Sequence, residues 1–301
     1  MQTIAMINNK GGVGKTSSVT TIGHMMAVLH NKRVLIVDMD PQANASAMFS
    51  DDSWMALFIE QLKGLDIPDL IRMLPQMDGV QKELSVEDLL LNRKLDPHKV
   101  IRHSAYDGLD ILPARLTLST VEERLKADVT TPQQFKLKTQ LEKVREDYDY
   151  CLIDCSPSVS LLNINALAAA DEVYIPLRCD GNSLIGLTIS LGLVETVKEY
   201  SPGLRFDGCF LTQYSPRKNV ARATRELLEQ VFCDGFLLPI TIGTSKLLEE
   251  NTYAQQPLLE LDSGKQKSAV TKAYMDLTEY ILAPSKSKFL KEYRNGLDTH
   301  M

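Results

Sequence analysis

The run Asn8-Asn9-Lys10-Gly11-Gly12-Val13-Gly14-Lys15-Thr16 constrains this chain more than any other stretch. The apolar run Thr3–Ile7 before it reads as a buried strand. The residues after it carry Val19, Ile22, Met26 and Leu29 near a 3.6-residue period, which reads as a helix with one apolar stripe. A glycine-rich loop between a strand and a helix turns successive backbone N–H groups into one concavity, and the helix N-terminus adds positive potential. Both favour a polyphosphate. Glycines let the backbone approach phosphate oxygens without a Cβ clash. Lys15 can reach β- and γ-phosphates, and the Thr16 hydroxyl can ligate Mg²⁺. The expected nucleotide-binding residues are therefore Lys10, Gly11, Gly12, Val13, Gly14, Lys15, Thr16 and Ser17, with ATP and Mg²⁺ as the implied cofactors.

The loop departs from the pattern G-x-x-x-x-G-K-[ST], because Asn9 stands where the first glycine belongs and Lys10 precedes the paired glycines. It fits the deviant Walker A form, K-G-G-x-G-K-[ST], at every position. Further strand-like runs at Arg33–Val37, Leu109–Leu112, Tyr150–Ile153, Glu172–Pro176, Arg205–Leu211 and Phe236–Ile240 are each followed by a helical pattern. Strands alternating with helices predict an α/β fold, a mostly parallel twisted sheet with helices on both faces. A length of 301 residues suits one such domain. It is expected to span residues 1–283, with an inserted helical segment at about 50–85, where Trp54, Leu57, Phe58 and Ile59 precede Pro68, Pro75 and Gly79. The acidic start of Ser85–Leu91 predicts a helix. Residues 284–301, rich in Lys and Ser, are expected to be a loose tail.

Two strands end in aspartates. One leads into Asp38-Met39-Asp40-Pro41-Gln42, the other into Asp154-Cys155-Ser156-Pro157. Ligands of open parallel sheets sit beyond the carboxyl ends of the strands. Asp38, Asp40 and Asp154 are therefore expected beside the phosphate loop. Mg²⁺ takes one or two carboxylates besides phosphate oxygens and water, so one aspartate is left to orient the attacking water. Thr16, Asp38 and Asp154 are the metal candidates, and Asp40 is the candidate for water.

With these elements in place the chain resembles the ParA/Soj family of deviant-Walker ATPases. The resemblance is carried by Asn9–Thr16, by Val37–Asn44 and by Tyr148–Ser158, with softer matches at Gly108–Ala114, Ala170–Pro176 and Leu211–Tyr214. It implies an ATP hydrolase that closes into a homodimer on ATP. Lys10 would reach the partner subunit's nucleotide, Lys15 would hold the bound phosphates, and Asp40 would act on the hydrolytic water. Lys10, Asp40 and Lys15 are thus the catalytic set. The family pattern also implies non-specific DNA binding, a ParB-like activating partner, and a cytoplasmic protein that joins the nucleoid when ATP-bound. The chain differs from many relatives at Ala43 and Ser156, beside the switch segments. No room precedes the loop for an N-terminal helix-turn-helix domain, so direct operator binding is not expected.

The formal net charge is -6, so any DNA contact must come from a local patch. Arg217, Lys218, Arg222 and Arg225 form the strongest candidate, with Lys246, Lys265 and Lys267 as extensions. A MinD-like membrane cycle is the main alternative. It would need an amphipathic helix near Phe289, Leu290 and Tyr293, where the apolar face is short. No signal peptide or stretch of ~20 apolar residues is present, so stable membrane insertion is not expected. The iron–sulfur branch of the superfamily would need cysteines at a dimer axis. Cys151, Cys155, Cys179, Cys209 and Cys233 contain no C-x-x-C pair and read as reduced, mostly buried thiols. A biosynthetic ligase remains the third class. Adenine readers are sought in the loops after Thr212 and Pro239.

Overall fold

A computed structural model describes residues 1–50, 64–73, 83–128, 131–232 and 235–298. In chain order it contains β1 (Gln2–Met6), α1 (Lys15–His30), β2 (Val34–Met39), α2 (Asn44–Phe49), α3 (Ile67–Met73), α4 (Val86–Leu91), β3 (Arg102–His103) and β4 (Leu109–Leu112). There follow α5 (Leu118–Ala127), α6 (Lys136–Leu141), β5 (Tyr150–Cys155), α7 (Leu161–Ala169), β6 (Glu172–Arg178) and α8 (Gly181–Lys198). The last third holds β7 (Arg205–Tyr214), α9 (Asn219–Val231), β8 (Leu237–Gly243), α10 (Lys246–Ala254), α11 (Leu258–Leu261), α12 (Ala269–Leu282) and α13 (Lys286–Asp298).

The strands form one eight-stranded sheet in the order β3-β4-β2-β5-β1-β6-β7-β8. Every pairing is parallel except β3 with β4. The expected α/β architecture is therefore present. Strand β1 lies inside the sheet, between β5 and β6, and Ile4, Ala5 and Met6 have no exposed surface. Continuous apolar runs such as Val34–Val37 suit it, because each face of the sheet is covered. On one face Val19, Ile22 and Met25 of α1 meet Tyr274 and Leu277 of α12. On the other, Leu89, Leu137, Leu162 and Val194 come from α4, α6, α7 and α8.

Strand β3 was not expected; two residues give no alternation to read. Helix α4 begins as expected, with Ser85 and Asp88 forming a reciprocal capping box. Of the inserted segment, α3 and the approach to α4 are described; Trp54, Leu57, Phe58, Ile59, Pro75 and Gly79 lie outside the described residues, as does Cys233. The loose tail is corrected. Residues 286–298 form α13, and Phe289 packs edge-on against Tyr280 with ring centroids 5.7 Å apart. Its Lys286 Nζ donates to Tyr174 Oη at 2.6 Å, to Asp207 Oδ2 at 2.5 Å and to Glu172. The sequence hid this because the acceptors lie on β6 and β7, far back in the chain.

Candidate nucleotide site

The phosphate loop leaves β1 at the carboxyl edge of the sheet. Gly12 and Gly14 sit at φ +70° and +88°, where a side chain would be strained. The neighbouring strands brace the loop. Thr212 Oγ1 donates to the Val13 carbonyl at 2.8 Å, and Gln213 Nε2 to that of Gly12 at 3.2 Å. Asn8 Nδ2 donates to the Pro176 carbonyl at 2.8 Å, while Asn8 Oδ1 accepts the Lys10 N–H at 3.0 Å. Val13 is buried and serves packing. The Lys15 ammonium donates to the carbonyls of Asn8 and Lys10 at 3.0 and 2.9 Å. Burial lowers its pKa, with Asp154 and Asp40 pulling the other way.

A cleft of about 320 Å³ opens over the loop. Gly11, Gly12, Gly14, Lys15, Thr16 and Ser17, all of them nucleotide-binding candidates, line it, and so does Asp40. Gln42, Asn44, Met48, Asn251 and Thr252 line it too and were missed as site residues. Gln42 and Asn44 adjoin the Asp38–Asp40 motif and could have been read from it. Asn251 and Thr252 come from α10, and nothing local marks them.

The three aspartates differ in burial and in contacts. Asp154 and Asp38 are fully buried on adjacent strands, in register with one another. Asp38 is already engaged: its Oδ1 accepts the Asp40 N–H at 3.1 Å, and its Oδ2 accepts Ser46 N–H and Oγ at 2.9 and 2.7 Å. The Ser46 hydroxyl in turn accepts the Ala114 N–H at 2.8 Å. Asp38 therefore ties the turn to the ends of β2 and β4, and its expected metal role is not what its contacts favour. Burial pushes its pKa up to about 6, against the hydrogen bonds from Ser46 and Asp40. Neither carboxylate oxygen of Asp154 has a hydrogen-bond partner, although both are buried. Burial, then the charge of Asp38, drives its pKa well up. Buried oxygens of this kind demand a cation or an ordered water. Asp40 borders the cleft, its Oδ1 held by the Gln42 N–H at 3.0 Å; burial raises its pKa, and Gln42 and Lys15 oppose this.

The candidate DNA residues differ in exposure and pairing. Arg217 and Lys218 precede α9 and are exposed. Arg222 Nη2 donates to Asn219 at 2.7 Å. Arg225, half-buried, is paired with Glu229 one turn later at 2.8 Å. Exposed Val220, Leu227 and Val231 lie on the same helix. A second cleft, of about 310 Å³, gathers Tyr214, Pro216, Thr241, Gly243, Ser245 and Ala269 from the ends of β7 and β8 and the start of α12. Arg217 follows Pro216 in the chain, and Lys246 follows Ser245 as the first residue of α10. Lys267 is turned inward to the carbonyls of Leu259 and Asp262. Among the described residues no helix is long and apolar enough to cross a membrane.

The sequence profile of an AAA domain matches residues 1–205. The chain is 31% identical to the sporulation initiation inhibitor protein Soj of Bacillus subtilis, over 93% of this chain and 98% of Soj. It is 33% identical to the chromosome-partitioning ATPase Soj of Treponema pallidum, over 94% and 97% of the two chains. The chromosome partitioning protein ParA of Caulobacter vibrioides is 29% identical over 97% of each. Among solved structures, an ATP complex of a McdA variant from Cyanothece superposes with a TM-score of 0.75 at 18% identity, over 95% of this chain and 98% of that one. Cobyrinic acid a,c-diamide synthase from Mycobacterium smegmatis, with an ATP analogue and magnesium, gives 0.71 at 24% identity, over 95% and 98%. These two likenesses concern the fold.

Proposed function

The chain belongs to the ParA/Soj family of partitioning ATPases, and we propose that it hydrolyses MgATP, dimerises on ATP, binds DNA without sequence preference and partitions a DNA cargo with a ParB-like partner. The observation that carries this reading is Asp154, whose two carboxylate oxygens are buried with no close hydrogen-bond partner and whose nearby donor is the side chain of Thr16, a residue that lines the cleft. Thr16 and Asp154 are the residues that would hold Mg²⁺. When bound, the ion neutralises charge on the β- and γ-phosphate oxygens. Lys15 faces the same oxygens. Asp40, at the lip, orients the attacking water. Val159 is exposed, as are Ile185 and Ile189 of α8, the helix whose Gly186 and Ser190 touch the loop; such exposed apolar side chains suit contact with a second subunit.

Phosphates occupy the first cleft and the base the second. Gly14 lies against Thr212, 3.6 Å from where its Cβ would stand, and Tyr214, two residues on, lines the second cleft. Ala269→Trp fills that cleft and should lower ATP affinity by about tenfold or more, as the loss of a stacked base costs ~1–3 kcal/mol. A fluorescent-nucleotide titration measures it. Unchanged affinity would place the base elsewhere.

DNA is bound, in this reading, by Arg217, Lys218 and Lys246. Two subunits bring about six phosphate contacts, which gives a log–log salt slope of roughly -5. Arg217→Glu with Lys246→Glu should abolish MgATP-dependent duplex binding. Arg225→Glu should weaken it only slightly, because Glu229 already pairs with that arginine. Equal losses in both variants would return the DNA surface to α9. The whole proposal is tested by measuring ATP turnover with DNA and with the product of the neighbouring gene, separately and together. Strong stimulation is expected only when both are present; no turnover under any condition would overturn it. The membrane alternative gains nothing from α13, whose Phe289 and Leu290 pack on the core. We read the protein as cytoplasmic and, with ATP, nucleoid-bound.

A further inference from the structure

Helix α8 touches each residue that opens the phosphate loop. A Cβ on Gly186 would stand 2.7 Å from Asn8 Oδ1 and 3.3 Å from Lys10 Cβ. Ser190 Oγ accepts the Asn9 N–H at 2.9 Å. The Lys10 ammonium donates to Asp180 Oδ1 at 2.5 Å and to Ser183 Oγ at 3.1 Å. Asp180 is the N-cap of α8, and the same Oδ1 accepts the Ser183 N–H at 2.9 Å. Its other oxygen lies 3.6 Å from Arg178 Nε. Lys10 is thus the one loop cation held by a carboxylate of its own subunit, whereas Lys15 bonds only to loop carbonyls.

We infer that Asp180 and Ser183 form a parking site for Lys10, and that its release is a step of ATP-driven dimerisation. The inference rests on the reading of Lys10 as the group that reaches the partner subunit's nucleotide. The ammonium cannot both stay within hydrogen-bond distance of Asp180 and cross an interface, so the ion pair opposes closure. The pair also keeps Lys10 from folding onto the nucleotide in its own subunit, where it would satisfy the γ-phosphate without a partner. Parking therefore makes the second subunit the preferred source of this lysine. The rigid contacts at Gly186 and Ser190 keep the loop backbone in place while the side chain alone moves. Asp180 is a positioning residue here, not a catalytic one.

Asp180→Asn tests this, because asparagine caps a helix as well as aspartate does but carries no charge. Light scattering with a slowly hydrolysed ATP analogue should show dimerisation at about fivefold lower protein concentration, the worth of a half-exposed ion pair. Nucleotide affinity measured below the dimerisation range and the melting temperature should stay at wild-type values. In a Lys10→Ala background the same substitution should change nothing. Ser183→Ala should shift the threshold in the same direction by about twofold, and it decides the matter if Asp180→Asn folds poorly. An unchanged or raised threshold in the folded variants overturns the parking site. If Lys10→Ala alone dimerises as fully as the wild type, the role of Lys10 fails, and that result is read separately from the Asp180 arm.

Discussion

Alanine at Lys15 should lower ATP affinity by a factor of about a hundred to several thousand, equivalent to ~3–5 kcal/mol for removing one partner from a buried charge pair. Lys15 is buried against the loop carbonyls, lines the cleft with Asp40, and feels the charges of Asp154 and Asp40. A polyphosphate entering there meets the Asp40 carboxylate and the field of buried Asp154, and Lys15 is the cation that balances them. Its removal leaves those carboxylates facing the phosphates. Titration calorimetry in MgATP reads the change directly. A loss smaller than tenfold would mean that backbone N–H groups and the helix terminus hold the nucleotide without it.

Alanine at Asp40 should have the opposite signature. Turnover should fall by about a hundredfold to ten-thousandfold, the usual worth of a positioned general base, while the ATP-bound dimer accumulates. Asp40 reaches the cleft from a turn that Asp38 and Ser46 hold in place, so removing its carboxylate leaves the turn fixed. Stopped turnover with persistent light scattering is the expected pair of results. Loss of ATP binding instead would assign Asp40 to the metal or to the fold.

The phosphate loop could be read from sequence because it is local. Its glycines, its two lysines and its flanking strand and helix lie within one short run, and each has a meaning set by backbone geometry. The place of Asp154 was legible for a related reason, as an acid at the end of a buried strand, and its metal role belongs to the proposed function. Asp38 looks the same in sequence but has its carboxylate oxygens engaged by neighbouring donors. What distinguishes it is Ser46, which is brought to its carboxylate only when α2 turns back over the strand. The second cleft was half legible: the loops after Thr212 and Pro239 were named, but Ala269 belongs to a helix whose start packs there only in the folded sheet. Arg225 is a different lesson. Glu229 stands four residues later, the spacing at which helical ion pairs form, and the pairing could have been foreseen. Helix α13 could not, since what recruits Lys286 is a pair of acids and a tyrosine from two inner strands.

The position of β1 has a consequence for how such a protein diversifies. The strand is the seam of the sheet, and the groups on its two sides are of different kinds. Toward β5 and β2 lie Asp154 and Asp40, which in the proposed cycle govern how fast bound ATP is spent, and Asp38, which holds the turn that carries Asp40. Toward β6, β7 and β8 lie Asp180, Thr212 and the second cleft, which in the same proposed cycle would govern what is held and when a second subunit joins. A lineage can therefore retune the clock on one wing without disturbing the grip on the other. Chimeras cut at the seam should inherit turnover from one parent and affinity from the other.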